Sequence, residues 1–290
     1  MLEIAHGAAR AVIAPDGAAL VSFEVGGVPY LETYDGDPPM GSGAVLVPWP
    51  NRTAGARWVL DGEEQRLAVT EPARGNAIHG LVRRALWNVV EHTGSLVSLD
   101  VQVAGFGWPV ELRTTITYAL DEHGLTVSHG VQNVGAARTP FGVGAHPYPR
   151  AGASATDETT LTLAATTVLP LDPERMIPSG PAVPVSGDLD FTAARLLAGV
   201  RLDTAFGGCL PVDGLVRHVL KGPGGGVEVW ADPDFRWVQV YTPDGYPGRG
   251  RAVAIEPMTC PPDALNSGVD LLWLGPGDSW AGRWGLRPLD

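Results

Sequence analysis

Three ionisable side chains occur where the neighbouring residues are apolar, glycine or proline. His79 lies in the segment NAIHGL (residues 76–81), His146 lies in GVGAHPY (142–148), and Glu256 ends the apolar run AVAI (252–255) just before a proline. Such groups are candidates for chemistry, because no solvated face would place them there. Desolvation would raise the pKa of Glu256 and suit it to general-base work near neutral pH. Either histidine alone could instead be a core imidazole, and Glu256 could pair with an arginine.

Two histidines and a carboxylate are also a set that ligates transition metals, as in facial-triad iron sites. Here the three residues are far apart along the chain, and the sequence has no His-x-His pair. We therefore expect no metal site. The chain also lacks a Gly-x-Ser-x-Gly elbow, and the glycine-rich segment 222–226 lacks the spacing of a phosphate-binding loop, so a turn is predicted there. The sequence predicts acid–base chemistry without an organic cofactor.

The remaining histidines lie in polar or turn-like segments. Residues of this type in such surroundings are usually exposed. We expect all five at the surface and assign no chemistry to them: His6, His92, His123, His129 and His218.

The elements that must position the candidate residues are strands. With 38 Gly and 26 Pro among 290 residues, the composition disfavours helices, because both residues are costly in helix interiors. Period-two alternation with tight turns recurs along the chain. One short helix is predicted over Phe191–Ala198, capped by Asp190. Hairpins are predicted around 26–27, 61–62, 93–95 and 121–124, with further strands at 161–169, at 227–231 and 236–241 joined across 232–234, at 252–256 and at 279–286.

Roughly twenty short strands exceed what one open sheet holds, which is about ten. Two large antiparallel sheets packed face to face would accommodate them. The content of 44 % hydrophobic and 18 % charged residues supplies a core and excludes a disordered chain. No composition shift, repeat or long polar linker divides the sequence. We therefore predict an all-β protein, a large antiparallel β-sandwich, with one domain spanning residues 1–290.

Charge and cysteine content limit the partners and the compartment. The net charge of −12 would repel a phosphate backbone or an anionic bilayer, so neither nucleic acid nor a membrane is an expected partner. Two cysteines, Cys209 and Cys260, cannot form a disulfide framework. No uncharged apolar run reaches the roughly 20 residues of a membrane helix, and the N-terminal segment does not look like a signal peptide. We expect a soluble cytoplasmic protein, a monomer or a weak homodimer.

Five short segments, in this order along the chain, resemble the catalytic blocks of the aldose 1-epimerases, the galactose mutarotase family. Together they span most of the sequence, and the fold of that family agrees with the predicted sandwich. The segments are Asn51-Arg52 after VPWP (47–50) with IHGL (78–81) and Trp87, AHPY (145–148), LDTAF (202–206), VQVYT (238–242) and AIEPM (254–258).

The resemblance implies a role for each matched residue. Glu256 would be the general base and His146 the general acid for opening and reclosing a sugar ring. The sugar would be bound by Arg52, His79, Asp203 and Gln239, together with Asn51 and Tyr148. An aromatic residue such as Trp49 or Tyr148 would offer a platform for the apolar face of the sugar.

The substrate stays open at this point, with a neutral hexose such as glucose or galactose as the first expectation. A branch of the family acts on hexose 6-phosphates, and Arg83-Arg84 after the His79 segment could meet a phosphate, although a solvated pair is the simpler interpretation. A non-catalytic sugar-binding module would need neither an acid nor a base. A glycoside hydrolase would need two carboxylates, for which only Glu256 and Asp203 qualify.

Overall fold

Strands connected by tight turns make up most of the chain. The computed structural model describes residues 1–289, and within them twenty-six strands follow in this order: β1 (Leu2–His6), β2 (Ala9–Ala14), β3 (Ala19–Val25), β4 (Val28–Pro29), β5 (Val45–Leu46), β6 (Arg52–Thr53), β7 (Arg57–Leu60), β8 (Glu63–Arg66), β9 (Ala77–Ile78), β10 (Asn88–His92), β11 (Leu96–Gly105), β12 (Trp108–Asp121), β13 (Gly124–Asn133), β14 (Thr139–Phe141), β15 (Gly144–Ala145), β16 (Thr160–Thr162), β17 (Thr167–Val168), β18 (Val183–Pro184), β19 (Arg195–Leu196), β20 (Asp203–Gly207), β21 (Val216–Gly222), β22 (Gly225–Ala231), β23 (Trp237–Tyr241), β24 (Ala254–Met258), β25 (Leu272–Leu274) and β26 (Ser279–Leu289). The predicted hairpin turns lie between consecutive strands of this series.

The strands form two large antiparallel sheets. One has nine strands in the order β10-β11-β12-β13-β26-β22-β21-β16-β19, and the other has seven in the order β18-β17-β20-β23-β24-β15-β5. A four-stranded sheet, β1-β2-β3-β4, and three two-stranded ribbons complete the structure. The prediction of an antiparallel β-sandwich is confirmed.

One hydrophobic cluster lies between the two large sheets. Along β12 buried and more exposed residues alternate, so one face points to the core and the other to solvent. Leu99 and Ile116 from the nine-stranded sheet belong to the same cluster as Phe206 and Val240 from the seven-stranded sheet. The inner faces of both sheets are therefore packed against a shared core.

Helical structure in the described residues is limited to single turns. They are four 3₁₀ turns, at Pro39–Gly41, Ala54–Ala56, Thr156–Glu158 and Gly187–Leu189, and the α-helix α1 at Ala264–Ser267. All of these turns are too short to cross a bilayer.

The helix predicted over 191–198 is wrong. Asp190 Oδ1 accepts hydrogen bonds from the backbone N–H and the hydroxyl of Thr192, which closes a local turn and not a helix. Leu196 then pairs with Thr160 in the nine-stranded sheet. Phe191 is buried edge-on against Phe206 at a centroid distance of 5.9 Å. The spacing of apolar residues that suggested a helix at 191–198 therefore belongs to an irregular segment that packs against the core.

The chain passes from the nine-stranded sheet to the seven-stranded sheet between β16 and β17 and again between β22 and β23. The single strand predicted over 161–169 is wrong, because it divides into β16 in the nine-stranded sheet and β17 in the seven-stranded sheet. Between them the N–H of Ala164 donates to His218 Nδ1 instead of to a neighbouring strand. The strands predicted at 227–231 and 236–241 are present as β22 and β23, and they lie in different sheets.

Strands β20, β23 and β24 bring the candidate residues to one face of the seven-stranded sheet. Gln239 lies directly opposite Glu256, and Asp203 lies opposite Tyr241. Because residues two apart along a strand share a face, these side chains point to the same side of the sheet. Val240 points to the other side, into the core. The register therefore places the polar residues together, away from the hydrophobic cluster.

The surface prediction is wrong for two of the five histidines. His129 on β13 and His218 on β21 are both buried. Each occupies an inward position of an alternating strand, so its ring lies among core side chains. Trp284 Nε1 donates to His129 Nε2 over 3.0 Å. Burial lowers the pKa of both imidazoles to about 3.

These two histidines predict a loss of stability in acid. Below pH 6.5 the unfolded chain binds protons at His129 and His218 while the native protein does not. The free energy of unfolding should therefore fall from about pH 6.5 toward pH 3, by up to about 1.4 kcal/mol per pH unit for each histidine. In His129→Gln, urea denaturation followed by tryptophan fluorescence should show a shallower pH dependence. The exposed His123→Gln is the control, and an equal slope in all three proteins would contradict the assignment.

Candidate active site

A cavity of about 910 Å³ lies over the polar face of the seven-stranded sheet. Seven of the eight residues predicted for the site line it: Asn51, Arg52, His79, His146, Asp203, Gln239 and Glu256. The eighth, Tyr148, does not. Residues separated by some 200 positions in the sequence therefore meet around one space.

The floor of the cavity is the sheet itself. Gln239 Nε2 donates to Asp203 Oδ1 over 2.6 Å, which ties β20 to β23 through their side chains. Glu256 follows on β24, a strand whose five residues are all buried. Gln239 Oε1 and Glu256 Oε2 have no hydrogen-bond partner within residues 1–289. Unpartnered buried oxygens are costly, so they mark acceptors available to a ligand.

One wall is built from two loops in unusual backbone conformations. Asn51 and His79 both have a positive φ, 54° and 64°, a region that non-glycine residues adopt at some cost in strain. The His79 N–H donates to the Asn51 carbonyl over 2.9 Å, which joins the two loops. Any residue other than glycine is excluded at position 80, because a Cβ there would lie 2.1 Å from the carbonyl oxygen of Val47. The IHGL segment thus fixes the direction in which the imidazole points.

His146 and Glu256 are in direct contact. His146 Nε2 lies 3.4 Å from Glu256 Oε1, and both side chains are buried. Burial raises the pKa of Glu256 well above its ordinary value, and the nearby Asp203 adds to this while Arg52 opposes it. Burial also lowers the pKa of His146 to about 4. His146 therefore does not keep the ordinary imidazole pKa that leaves a protonated fraction near neutral pH.

Burial of this pair disfavours charge on either group. Because the two groups touch, they titrate as one system, and a proton held between them belongs to the pair. The pair can accept one proton through one member and release one through the other. The acid and the base therefore lie side by side, 3.4 Å apart, at the cavity surface.

His79 adds a second imidazole beside this pair. Its ring meets that of His146 edge-on at a centroid distance of 5.3 Å. Burial lowers its pKa well below the ordinary value, and His146, Arg83 and Arg52 act in the same direction. One possible ligand atom each from His79, His146 and Glu256 lies within 4.8 Å of the others. The spacing argument against a metal therefore fails in three dimensions, although the absence of a required metal stays a prediction.

Arg52 is held by a carboxylate that the sequence did not single out. Its guanidinium donates to both oxygens of Glu71, over 2.9 Å from Nε and 3.0 Å from Nη2. Arg74 and Asn76 donate to the same carboxylate. Although burial acts to raise it, the pKa of Glu71 is lowered by these bonds. The free edge of Arg52 faces Asp203, with 3.8 Å between Nη2 and Oδ2.

Tyr148 lies behind His146 and not on the cavity wall. Its ring stacks on the imidazole at 5.2 Å, and its hydroxyl donates to the carbonyl oxygen of Met40. Tyr246 packs on the far side of Tyr148 at 4.9 Å. Trp49 is buried against Trp108. The expected aromatic platform is therefore not formed by Tyr148 or Trp49, and the tyrosines that line the cavity are Tyr34 and Tyr241.

Comparison with known proteins places the chain in a family. The profile of the family described as aldose 1-epimerase matches residues 1–287. The chain belongs to the aldose 1-epimerase family, whose members are isomerases. The resemblance seen in the five sequence segments is thereby confirmed.

Individual relatives agree with this assignment. The uncharacterized Escherichia coli protein YihR is 35 % identical over 237 residues, which cover 81 % of this chain and 75 % of YihR. Human galactose mutarotase is 32 % identical over 157 residues, and these cover 50 % of this chain and 43 % of the human protein.

Solved structures share the fold at lower identity. A galactose mutarotase-like protein from Clostridium acetobutylicum superposes with a TM-score of 0.87 at 19 % identity, covering 99 % of this chain and 94 % of that one. An aldose epimerase homologue from C. elegans also gives 0.87, at 18 % identity, covering 100 % and 99 %. At these identities the likeness is one of fold.

The Glu71 network predicts a stability effect. Glu71→Gln keeps the shape but removes the charge from the bonds to Arg52, and hydrogen bonds to charged groups are the strong ones. We expect the free energy of unfolding to fall by about 1 to 2 kcal/mol. Glu64→Gln, which breaks exposed pairs with Arg57 and Arg66, should have a clearly smaller effect, because solvent screens exposed ion pairs. Equal effects in urea denaturation would show that Glu71 does not hold Arg52 in place.

Proposed function

We propose that this protein interconverts the α and β anomers of a neutral aldohexose such as glucose or galactose. The observation that carries the proposal is the buried contact of 3.4 Å between His146 and Glu256 at the cavity surface. Membership of the aldose 1-epimerase family supports the same reaction.

The reaction requires two proton transfers at one carbon. When a sugar is bound, the proton that the pair shares moves from Glu256 to His146, which leaves a carboxylate and an imidazolium. Glu256 then takes the proton of the C1 hydroxyl while His146 gives its proton to the ring oxygen, and the C1–O5 bond breaks to leave an open-chain aldehyde. Rotation about C1–C2 presents the other face, and the reverse transfers close the ring. Because both oxygens are bonded to C1, an acid and a base side by side can reach them together. No electrons leave the sugar, and the protein returns to its starting protonation.

The remaining cavity residues suit the binding of hydroxyl groups. The Asp203 carboxylate and the free Gln239 oxygen accept hydrogen bonds, while the Arg52 guanidinium donates. Asn51 and His79 complete the set on the loop wall. A sugar-binding module would not need two ionisable groups buried against each other at a cost in desolvation, so the enzyme is favoured over a non-catalytic binder.

A sugar carrying an anionic group, such as a hexose 6-phosphate, is the second candidate substrate. Arg83 and Arg84 both line the cavity. The pKa of Arg83 is lowered by burial and by Arg84, with no carboxylate of residues 1–289 acting on it. Cationic side chains without a counter-ion in a cavity are suited to an anion, and they act locally against the net charge of −12.

Removal of the base predicts a specific loss of turnover. Glu256→Gln should lower the rate of anomer interconversion by about 10² to 10⁴ while sugar binding survives, because the amide keeps the shape but accepts no proton. His146→Asn should also lower the rate.

Polarimetry on freshly dissolved pure anomers measures the rates of these variants, and calorimetry measures their sugar binding. Asp203→Asn is the matched control, which should weaken binding at least as much as turnover. Full activity in Glu256→Gln would sink the mechanism.

The choice between substrates follows from the same assay. For a neutral sugar, kcat/KM for glucose or galactose anomers should exceed that for glucose 6-phosphate anomers, and Arg83→Gln should leave it nearly unchanged. A phosphorylated sugar preferred by tenfold or more, with the preference lost in Arg83→Gln, would replace the first candidate by the second. If kcat/KM is higher for glucose than for glucose 6-phosphate and Arg83→Gln does not change it, the neutral hexose is supported as the substrate.

A further inference from the structure

We propose that His79, His146 and Glu256 form a binding site for a transition-metal cation of the Zn²⁺ type, and that the bound cation excludes the sugar. The site is inhibitory, since it uses the groups that the proposed reaction needs free. The inhibitory effect rests on the proposed function, whereas binding of the cation is tested independently of turnover.

The donor set and its geometry fit such a cation. Two imidazoles and one carboxylate are ligands that Zn²⁺ takes up readily, with bonds of about 2.0 to 2.2 Å. Neighbouring ligand atoms of a tetrahedral centre then lie about 3.4 Å apart. His146 Nε2 and Glu256 Oε1 are already 3.4 Å apart. All three ligand atoms fall within 4.8 Å, so His79 must approach the other two to complete the set.

The three residues also present free donor atoms to an accessible space. They line the cavity, which leaves a fourth position for water. Glu256 Oε2 has no hydrogen-bond partner in the described part of the chain, although Glu256 is only 2 % exposed. A cation bound at Oε1 would compensate the charge of the whole carboxylate.

The surroundings set the strength of binding. Metal-bound histidines usually donate from their second ring nitrogen to a carboxylate or carbonyl, and loss of such a partner costs 10- to 100-fold in affinity. The Nδ1 atoms of His79 and His146 both lack a hydrogen-bond partner among residues 1–289. Arg52, which acts on Glu256, further disfavours a cation. Binding should therefore be weaker than in structural zinc sites, and reversible by a chelator.

Titration with Co²⁺, read by its visible absorption, tests the site directly. The wild-type protein should bind one equivalent with intense bands of a low-symmetry site, and Zn²⁺ should displace it. His79→Asn and Glu256→Gln should each weaken binding by at least tenfold, with circular dichroism melts confirming that both variants fold. The control is the double variant His6→Asn, His123→Asn at the exposed surface, which should bind as the wild type does.

Two outcomes would overturn the proposal. One is unchanged binding in the site variants or loss of binding in the surface control. The other is loss of the wild-type anomer rate on treatment with EDTA, restored by a divalent cation, since the metal would then be required. The expected result is that EDTA leaves the rate unchanged and that Zn²⁺ lowers it. If the protein proves inactive on every sugar, the Co²⁺ titration still decides the site.

Discussion

The buried contact between the His146 imidazole and the Glu256 carboxyl is the interaction on which the rest of the site depends. Two ionisable groups without water lose solvation, so the fold must hold them in place. Glu256 is fixed by its position in a fully buried central strand. The His146 ring is confined by Tyr148 on one face and by Gly41, where a Cβ would lie 3.1 Å from the ring. These contacts hold both groups together at the cavity surface.

Much of this arrangement was predictable because strand geometry translates sequence into position. The alternation along the strands gave the sandwich, since apolar residues at every second position demand a buried face. Glu256 could be found because a carboxylate interrupts an otherwise apolar strand. His79 and His146 could be found because each lies between glycines without a charged neighbour. These are local signals, and the fold confirms where the residues lie.

What could not be predicted depends on contacts between distant segments. Glu71 has no distinguishing neighbours in sequence, and its role appears only where its carboxylate meets Arg52. The spacing argument against a metal failed because residues far apart in sequence become neighbours across a sheet. His129 is different, because its place in an alternating strand was visible in the sequence and indicated burial. The raised pKa of Glu256 was predictable from its apolar strand, whereas the lowered pKa of His146 follows from contacts with distant segments that bury its ring.

The central claim is that the protein moves only oxygen-bound protons at C1 of a sugar. The most direct measurement is two-dimensional proton exchange spectroscopy on an equilibrium mixture of glucose or galactose anomers in D₂O with the protein present. The account predicts exchange cross-peaks between the α and β H1 signals, stronger than without protein, with full retention of hydrogen at C1 and C2. Deuterium at either carbon, or exchange no faster than in buffer for every sugar tested, would contradict the account.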